Sequence, residues 1–231
     1  MRMRLRVLAA LAVAALLAAC APQPTTAPEK QLPAGAPAEF PKSYYDQAAS
    51  RGEAVYRVDP KQSLVVIEVR RGGSLARLGH DHVVAAHNVA GYVAPQTGRA
   101  DLYVGLDGLA VDEPELRKAA GFDTQPTESD IAGTRANMLD KVLEASKFPH
   151  ALIGIRISAG QLAVAITLHG ATRTFEVPAR LDVGDARVGA AGRLAFNQSE
   201  FGITPFSILG GAVAVQDRLQ LRFDVRAERL K

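Results

Sequence analysis

The stretch DRLQLRFDVRAERL, residues 217–230, decides the fold class. Apolar and polar side chains alternate along it, so an extended chain would have one apolar face and one polar face. The apolar face comprises Leu219, Leu221, Phe223, Val225 and Ala227, and the polar face comprises Arg218, Gln220, Arg222, Asp224 and Arg226. This period of two predicts a half-buried antiparallel strand.

Similar alternation recurs nearer the N-terminus, in runs separated by Gly, Pro and Asp residues that are typical of turns. The further predicted strands are residues 63–70, 83–93, 99–106, 151–157, 161–168, 172–181 and 187–196. About eight antiparallel strands that share one apolar face must close into a barrel or stack as a sandwich. The pattern therefore predicts a mainly all-β domain.

The alternation stops between Glu113 and Pro149, where a helical pattern replaces it. Thr127 followed three residues later by Asp130 is typical of a helix N-cap. Apolar residues then recur at helical spacing, at Ile131, Met138, Leu139, Val142 and Leu143. We predict one helical excursion around residues 127–146, which either packs its apolar stripe against the sheet or covers the end of the barrel.

The N-terminus has the layout of a secretory signal. Three arginines precede an apolar run, residues 7–19, that is shorter than the roughly 20 residues of a permanent membrane span. The run ends in Leu-Ala-Ala-Cys, which resembles the lipobox of bacterial lipoproteins, so Cys20 is the predicted acylated residue. We predict a signal peptide at residues 1–19, an acylated Pro/Ala-rich tether at 20–52, and a folded domain at 53–231.

This layout predicts where the protein acts. Removal of residues 1–19 takes three of the 27 basic residues and none of the 24 acidic ones, which leaves 24 of each. A neutral domain gives no reason to expect nucleic acid as a partner. The acyl anchor predicts the periplasmic face of a bacterial envelope membrane, and Ala21 after the cysteine, by resemblance to enterobacterial sorting, favours the outer membrane. Because Cys20 is the only cysteine, the domain contains no disulfide.

Five segments, taken in order, resemble the YceI-like domain family. They are AVYRVDPKQSLVVIEV (54–69), KFPHALIGI (147–155), AVAITLHGATRTFEVPARL (163–181), GRLAFNQSEFGI (192–203) and VAVQDRLQLRFDVRAE (213–228). The resemblance implies an extended eight-stranded antiparallel lipocalin-like β-barrel. It also implies that the apolar cavity of the barrel holds an isoprenoid lipid, a quinone or another amphiphilic small molecule.

Seven residues are the candidate cavity lining: Val66, Leu168, Phe175, Leu194, Phe196, Leu221 and Phe223. Binding of an apolar chain requires an aliphatic or aromatic lining with few polar groups. The same residues would equally suit a barrel whose interior is filled by side chains, so the pattern alone leaves a cavity and a packed core open.

The segment RLGHDHVVAAH, residues 77–87, holds three of the five histidines. We predict that His80, Asp81 and His82 form a polar group at the barrel mouth, which closes that end or meets a ligand's head group. The alternative is a divalent metal site, because His80 and His82 would share one face of a strand that begins at Gly79. His87 is out of phase with them, so a third ligand would have to come from elsewhere, such as His150 or His169.

Catalytic motifs are absent from the sequence: it has no G-x-S-x-G elbow, phosphate-binding loop or haem-attachment motif. We therefore name no catalytic residue and expect a binding protein, with a metal-dependent enzyme as the alternative. The expected partners are the small molecule and, through the anchor, a membrane. Dimerisation stays open.

Overall fold

The computed structural model describes residues 35–158 and 161–230. The predicted signal peptide, Cys20 and the first part of the tether lie outside the described residues. Among the described residues, no helix is both long and apolar enough to cross a bilayer.

Strands are the predominant secondary structure of the described chain. Their bounds are β1 Tyr56–Val58, β2 Leu64–Val69, β3 Arg71–Gly72, β4 His82–Ala86, β5 Ala90–Ala94, β6 Arg99–Gly105, β7 Ala110–Val111, β8 His150–Ser158, β9 Gln161–Leu168, β10 Ala171–Val183, β11 Arg187–Asn197, β12 Ser207–Ile208, β13 Val213–Val215 and β14 Arg218–Arg229. The α-helices are α1 Lys42–Ser50, α2 Pro114–Ala119 and α3 Glu128–Asn137. Six short helical turns are Ala76–Leu78, Pro95–Thr97, Leu106–Gly108, Met138–Val142, Gln198–Phe201 and Leu209–Gly211.

The strands form a closed antiparallel barrel. Strands β8, β9, β10, β11 and β14 pair in succession, and β14 then pairs with both β1 and β2 to close the ring. Three positions of the barrel are each occupied by two short strands that lie in line. The first position holds β1 and β2, which both pair with β14. The second holds β4 and β5, and the third holds β6 and β7. Eight strand positions therefore close the barrel, which confirms the predicted fold class.

The prediction of one strand over residues 83–93 is wrong. Strand β4 ends at Ala86 and β5 begins at Ala90, with an interruption between them. At the interruption the buried side chain of Asn88 donates a hydrogen bond of 2.8 Å to the main-chain oxygen of Gly105. A side chain takes the place of the strand-to-strand bond here, so the ladder breaks although the apolar pattern continues.

The prediction that the tether extends to residue 52 is wrong for Lys42–Ser50, which forms α1. Tyr45 is 1% exposed, and its hydroxyl donates a hydrogen bond of 2.7 Å to the Asp101 carboxylate. Its ring stacks on Tyr92 at 5.4 Å. Burial, followed by the hydrogen bond to Asp101, raises the pKa of the Tyr45 hydroxyl. These contacts hold the helix against the barrel wall in a segment whose composition indicates a linker.

The helical excursion is confirmed, with a change of pitch. The Thr127 hydroxyl caps α3 by accepting a hydrogen bond from the Asp130 amide, and the Asp130 carboxylate accepts one from the Thr127 amide. After Asn137 the chain widens into a single π-helical turn, Met138–Val142, rather than continuing as α-helix to 146. The apolar side of this segment packs against the core of the barrel through Ile131, Met138, Leu139 and Leu143.

The tight turn after β9 has the backbone conformation that its sequence favours. His169 and Gly170 both have positive φ, 51° and 76°. Two consecutive positive φ angles define the hairpin turn that best matches the twist of antiparallel strands. His169 is therefore a residue of the hairpin turn between β9 and β10.

Candidate ligand-binding cavity

A cavity of about 640 Å³ extends through the barrel. Its walls are the alternate residues of each strand, as the pleat requires. On β8 they are Ala151, Ile153, Ile155 and Ile157, and on β14 they are Leu219, Leu221, Phe223, Val225 and Ala227. The apolar face predicted for residues 217–230 thus borders the cavity over its whole length.

Polar lining is confined to one end of the barrel. We name it the histidine end, since β4 begins there with His82. The polar residues that line the cavity are Arg71, His80, His82, Thr134, Asn137 and Gln198. At the opposite end the lining is apolar and includes Pro95, Ile157 and Val183. The cavity therefore has the polarity of an amphiphile, with one end suited to a head group and the remainder to a chain.

Five of the seven candidate lining residues border the cavity. They are Leu168, Leu194, Phe196, Leu221 and Phe223. The assignment of the other two is corrected. Val66 is 1% exposed but does not line the cavity, because its neighbours Val65 and Ile67 do and strand alternation directs Val66 to the other face.

Phe175 is the second correction. Its ring packs against Phe196 at 6.0 Å and against Phe201 at 6.3 Å between centroids. Phe196 and Phe201 are themselves in edge-on contact at 5.5 Å. This aromatic cluster fills the space near Phe175, which is therefore core rather than cavity wall. Whether the five lining residues contact a ligand stays a prediction.

His82 is held by a buried acid. Its Nδ1 atom lies 2.6 Å from Oδ2 of Asp112, whose side chain is fully buried. The other carboxylate oxygen accepts a bond of 3.0 Å from the Val83 amide and a bond from the guanidinium of Arg117. Arg117 is itself 7% exposed, and its second terminal nitrogen donates to the main chain of Thr124.

These contacts determine the charge of Asp112. Burial on its own raises the pKa of this carboxyl, but hydrogen bonds from His82, the Val83 amide and Arg117 outweigh burial and leave the pKa below its ordinary value. Asp112 is therefore ionised near neutral pH, and a carboxylate can only accept hydrogen bonds. The proton shared with His82 consequently lies on Nδ1, so Nε2 is the acceptor nitrogen of the neutral ring.

His80 is the second histidine of the lining. Its ring centroid lies 6.2 Å from that of His82, at an angle of 70°. The Nδ1 atom of His80 is buried and has no hydrogen-bond partner in the part of the chain that the structure describes. A buried polar atom without a partner is costly unless a ligand or water satisfies it. The strand begins at His82 rather than at Gly79, so His80 belongs to the preceding loop.

Asp81 does not line the cavity, which corrects its assignment to the mouth. One carboxylate oxygen accepts a hydrogen bond of 2.8 Å from the Arg71 amide, and the main-chain oxygen accepts one from Arg117. The guanidinium groups of Arg70 and Arg71 lie 4.0 and 3.9 Å from the carboxylate. Asp81 holds the loop in place between the two histidines that reach the cavity.

The other histidines are occupied elsewhere. Nε2 of His169 lies 2.7 Å from the Glu144 carboxylate, and Nε2 of His87 lies 2.7 Å from Glu113. His150 is in contact with Tyr103. Within the described ranges, no three His, Cys, Asp or Glu side chains come together in a way that could hold a metal ion. The proposed third metal ligand is thus not brought to His80 and His82.

Several polar residues of this end were missed by the sequence reasoning. Asp112 and Arg117 are distant from the GHDH segment in the sequence, by 30 and 35 positions from His82. Thr134 and Asn137 lie on α3, and Gln198 lies in the turn after β11. Asp112 alone has a local signal in the sequence, since it is an acid that directly follows a short apolar strand. Its distance along the chain from His82 gives no indication that the two residues meet.

Comparison with known proteins agrees with this geometry. The model of the YceI-like domain matches residues 56–227. The chain belongs to the YceI-like domain family. The match includes every strand that closes the barrel, from β1 to all but the last two residues of β14. No curated protein matches the chain.

Two solved structures illustrate how far the YceI-like fold is shared. A polyisoprenoid binding domain from Saccharophagus degradans, implicated in plant cell wall breakdown, is 10% identical with a TM-score of 0.55, and the match covers 76% of this chain and 98% of that one. The crystal structure of Burkholderia cenocepacia BcnA is 16% identical with a TM-score of 0.53, covering 73% and 98%. At these identities the likeness shows a common fold.

Proposed function

We propose that this YceI-like protein binds an isoprenoid-type lipid, a quinone or a similar amphiphile inside its barrel. The observation that carries the proposal is the cavity itself, which is apolar along its length and polar only at the histidine end. The similar domain from Saccharophagus degradans is described as polyisoprenoid binding, which supports the same class of ligand here.

The apolar part of the cavity supplies the affinity. Removal of apolar surface from water contributes about 0.8 kcal/mol per buried CH₂ group. A five-carbon isoprene unit would contribute about 3–4 kcal/mol before the cost of ordering the chain. Strand β8 borders the cavity from Ala151 to Ile157, six steps of about 3.3 Å, so a chain can be buried over a length on the order of 20 Å along the strand.

The histidine end supplies the orientation. With the shared proton of His82 on Nδ1, Nε2 of the unprotonated ring is a hydrogen-bond acceptor, and the Asn137 amide both donates and accepts. Arg71 belongs to the same lining, and its guanidinium is paired with the Asp123 carboxylate at 3.2 Å. A head group that carries a hydroxyl, a quinone carbonyl or a phosphate would be satisfied here, whereas it would lose its hydrogen bonds at the apolar end. In the proposed complex the head group of the ligand lies at His82 and its chain extends toward Val183.

The proposed setting is the bacterial envelope. Acylation at Cys20 would anchor the barrel to a membrane by more than one acyl chain, which is what stable attachment requires. The outer membrane, on its periplasmic face, is the proposed site. Replacement of Cys20 with Ser tests this part separately, because the Cys20→Ser protein should leave the membrane fraction without losing its ligand.

Native mass spectrometry of protein purified from an envelope fraction tests the ligand. We expect a mass excess of a few hundred daltons that survives a chelator and disappears on solvent extraction. Extracted protein should then rebind a short-chain ubiquinone or geranylgeraniol as probes. Well-folded protein that carries no extractable compound and binds neither probe would contradict the proposal. A mass excess equal to one metal ion that the chelator removes would instead support a metal site at His80 and His82.

A further inference from the structure

A groove of about 330 Å³ lies on the barrel where β10, β11, β14 and β2 adjoin. Its lining comprises Leu64, Arg180, Ala191, Gly192, Arg193, Arg222, Phe223 and Asp224. Three arginines, one on each of three adjacent strands, therefore meet in one shallow groove. Arg193 and Arg222 lie on the strand faces opposite to the cavity-lining Leu194 and Leu221, so the arginines are on the outer wall of the barrel.

The strand register forces the three arginines together. Arg193 is paired directly with Arg222 across β11 and β14. Arg180 of β10 is paired with Ala191, two residues from Arg193 on the same face, which makes it a diagonal neighbour. Like charges placed directly opposite each other destabilise an antiparallel pair. The sheet thus bears a repulsion that a bound anion would remove.

Among the described residues, no carboxylate forms an ion pair with any of the three guanidinium groups. Asp224 is the only acid in the lining, and its carboxylate accepts bonds of 2.7 and 3.2 Å from Arg226. Asp182 on β10 also faces Arg226, at 3.7 Å. In the portion of the chain that the structure describes, neither Arg180, Arg193 nor Arg222 has a carboxylate within 4.0 Å.

Arg222 carries the most specific sign of a missing partner. One terminal nitrogen of its guanidinium is buried and has no hydrogen-bond partner among residues 35–158 and 161–230. Buried polar atoms in folded proteins are almost always paired, and an unpaired one at a groove points to a ligand or an ion. Arginine is the side chain best suited to grip phosphate, because its planar fork matches two phosphate oxygens at once.

We propose that Arg180, Arg193 and Arg222 form a binding site for a phosphoryl anion on the outer wall of the barrel. Three positive charges suit a phosphate dianion or a diphosphate better than a single carboxylate. The proposal goes beyond lipid binding in the cavity, because these arginines are absent from the cavity lining. The phosphoryl group could belong to a free phosphate or to a phospholipid head group, and the experiment separates these two sources.

The test compares the purified full chain with Arg193→Gln, Arg222→Gln and a control, Arg218→Gln. Arg218 is exposed on the same strand and the same face, four residues from Arg222, and is absent from the groove. Affinity for inorganic phosphate and pyrophosphate is measured by isothermal titration at low ionic strength. We expect Arg193→Gln and Arg222→Gln to weaken binding at least fivefold and Arg218→Gln by less than twofold.

A second arm uses vesicles of phosphatidylcholine with and without phosphatidylglycerol. Co-sedimentation that depends on phosphatidylglycerol and on Arg193, with free phosphate bound too weakly to measure, would support the proposal with a lipid as the source. Loss of binding in all three variants alike would reveal a general charge effect and overturn it. Absence of any Arg193-dependent binding to phosphate, pyrophosphate or vesicles would overturn it as well.

Thermal unfolding provides a further test that does not depend on the strength of the titration signal. Without phosphate, Arg193→Gln should unfold at a higher temperature than the unsubstituted protein, because the like-charge pair is removed. Pyrophosphate should raise the unfolding temperature of the unsubstituted protein and of Arg218→Gln, but not of Arg193→Gln. An equal rise in all of them would contradict the assignment.

Discussion

Nδ1 of His82 lies 2.6 Å from Oδ2 of Asp112, although 30 residues separate the two in the chain. The bond joins the first residue of β4 to the residue after β7, at the end of the barrel where the cavity becomes polar. A buried carboxylate thereby sets the proton position of a histidine that borders the proposed head-group site. Asp112 thus affects the cavity indirectly, because it orients His82.

Replacement of Asp112 with Asn should destabilise the protein by about 3 kcal/mol or more, because it leaves the buried guanidinium of Arg117 without its counter-charge. Asn tolerates the positive φ of 58° at this position, so the effect should come from the lost charge rather than from the backbone. Urea unfolding measures it. The exposed Asp107→Asn serves as the control and should change stability by less than about 0.5 kcal/mol. Equal midpoints for the two variants would contradict the assignment.

Stability should fall in acid through Asp112. Its pKa in the folded protein lies below the ordinary value of 3.8, so the unfolded chain binds this proton at a higher pH than the folded one. The contribution is therefore complete above about pH 5 and is lost as the pH falls through the folded pKa. Urea midpoints at pH 7, 5, 4 and 3 should show the unsubstituted protein and Asp112→Asn converging toward acid. A gap that stays constant would exclude this origin.

A bulky side chain in the cavity should block the ligand. Ala190 of β11 lines the cavity, whereas Ala195 of the same strand belongs to the opposite face. We expect Ala190→Phe to lower affinity for a short-chain ubiquinone at least tenfold because it occupies the chain site, and Ala195→Phe to change it less than twofold. Fluorescence or calorimetric titration of solvent-extracted protein measures both. Similar affinities in both variants would place the ligand outside the barrel.

Val66 and Leu221 should separate stability from binding. Val66 is buried on the face away from the cavity, so Val66→Ala should cost about 2 kcal/mol of folding stability and leave ligand affinity unchanged. Leu221 borders the cavity, so Leu221→Ala should weaken binding by removing contacts with the chain. Urea unfolding and ligand titration are measured on both. A loss of affinity in Val66→Ala at full folding would mean that this strand is not placed as described.

Gly91 should not tolerate a side chain. Its φ is 144°, and a Cβ there would lie 2.2 Å from the main-chain oxygen of Asp101 on β6. Gly91→Ala should therefore cost about 3 kcal/mol or abolish folding. Gly133 of α3 has open space around it, and Gly133→Ala should stabilise the helix by up to about 1 kcal/mol. Circular dichroism during heating compares the two, and unchanged stability in Gly91→Ala would contradict the strand pairing.

The cavity-facing residues of a strand could be predicted from the sequence only where the opposite face of that strand is polar. Along β14 charged and apolar residues alternate, so the cavity face could be read directly. Along β2 the sequence LVVI is apolar on both faces, so nothing in it distinguishes Val66 from Val65 and Ile67. The inward set of β2 depends on its register with β14 and β4, which is a long-range property.

The sequence by itself determined the long strands of the barrel, the capped helix after Thr127 and the tight turn at His169, because backbone propensity and local hydrogen bonds act over a few residues. Only the tertiary structure decided the break at Asn88, the docking of α1, the approach of Asp112 to His82 and the pairing of Arg193 with Arg222. Each of these depends on groups brought together by barrel closure from distant parts of the chain, and a period of two specifies which side chains share a face but not which residues will meet them.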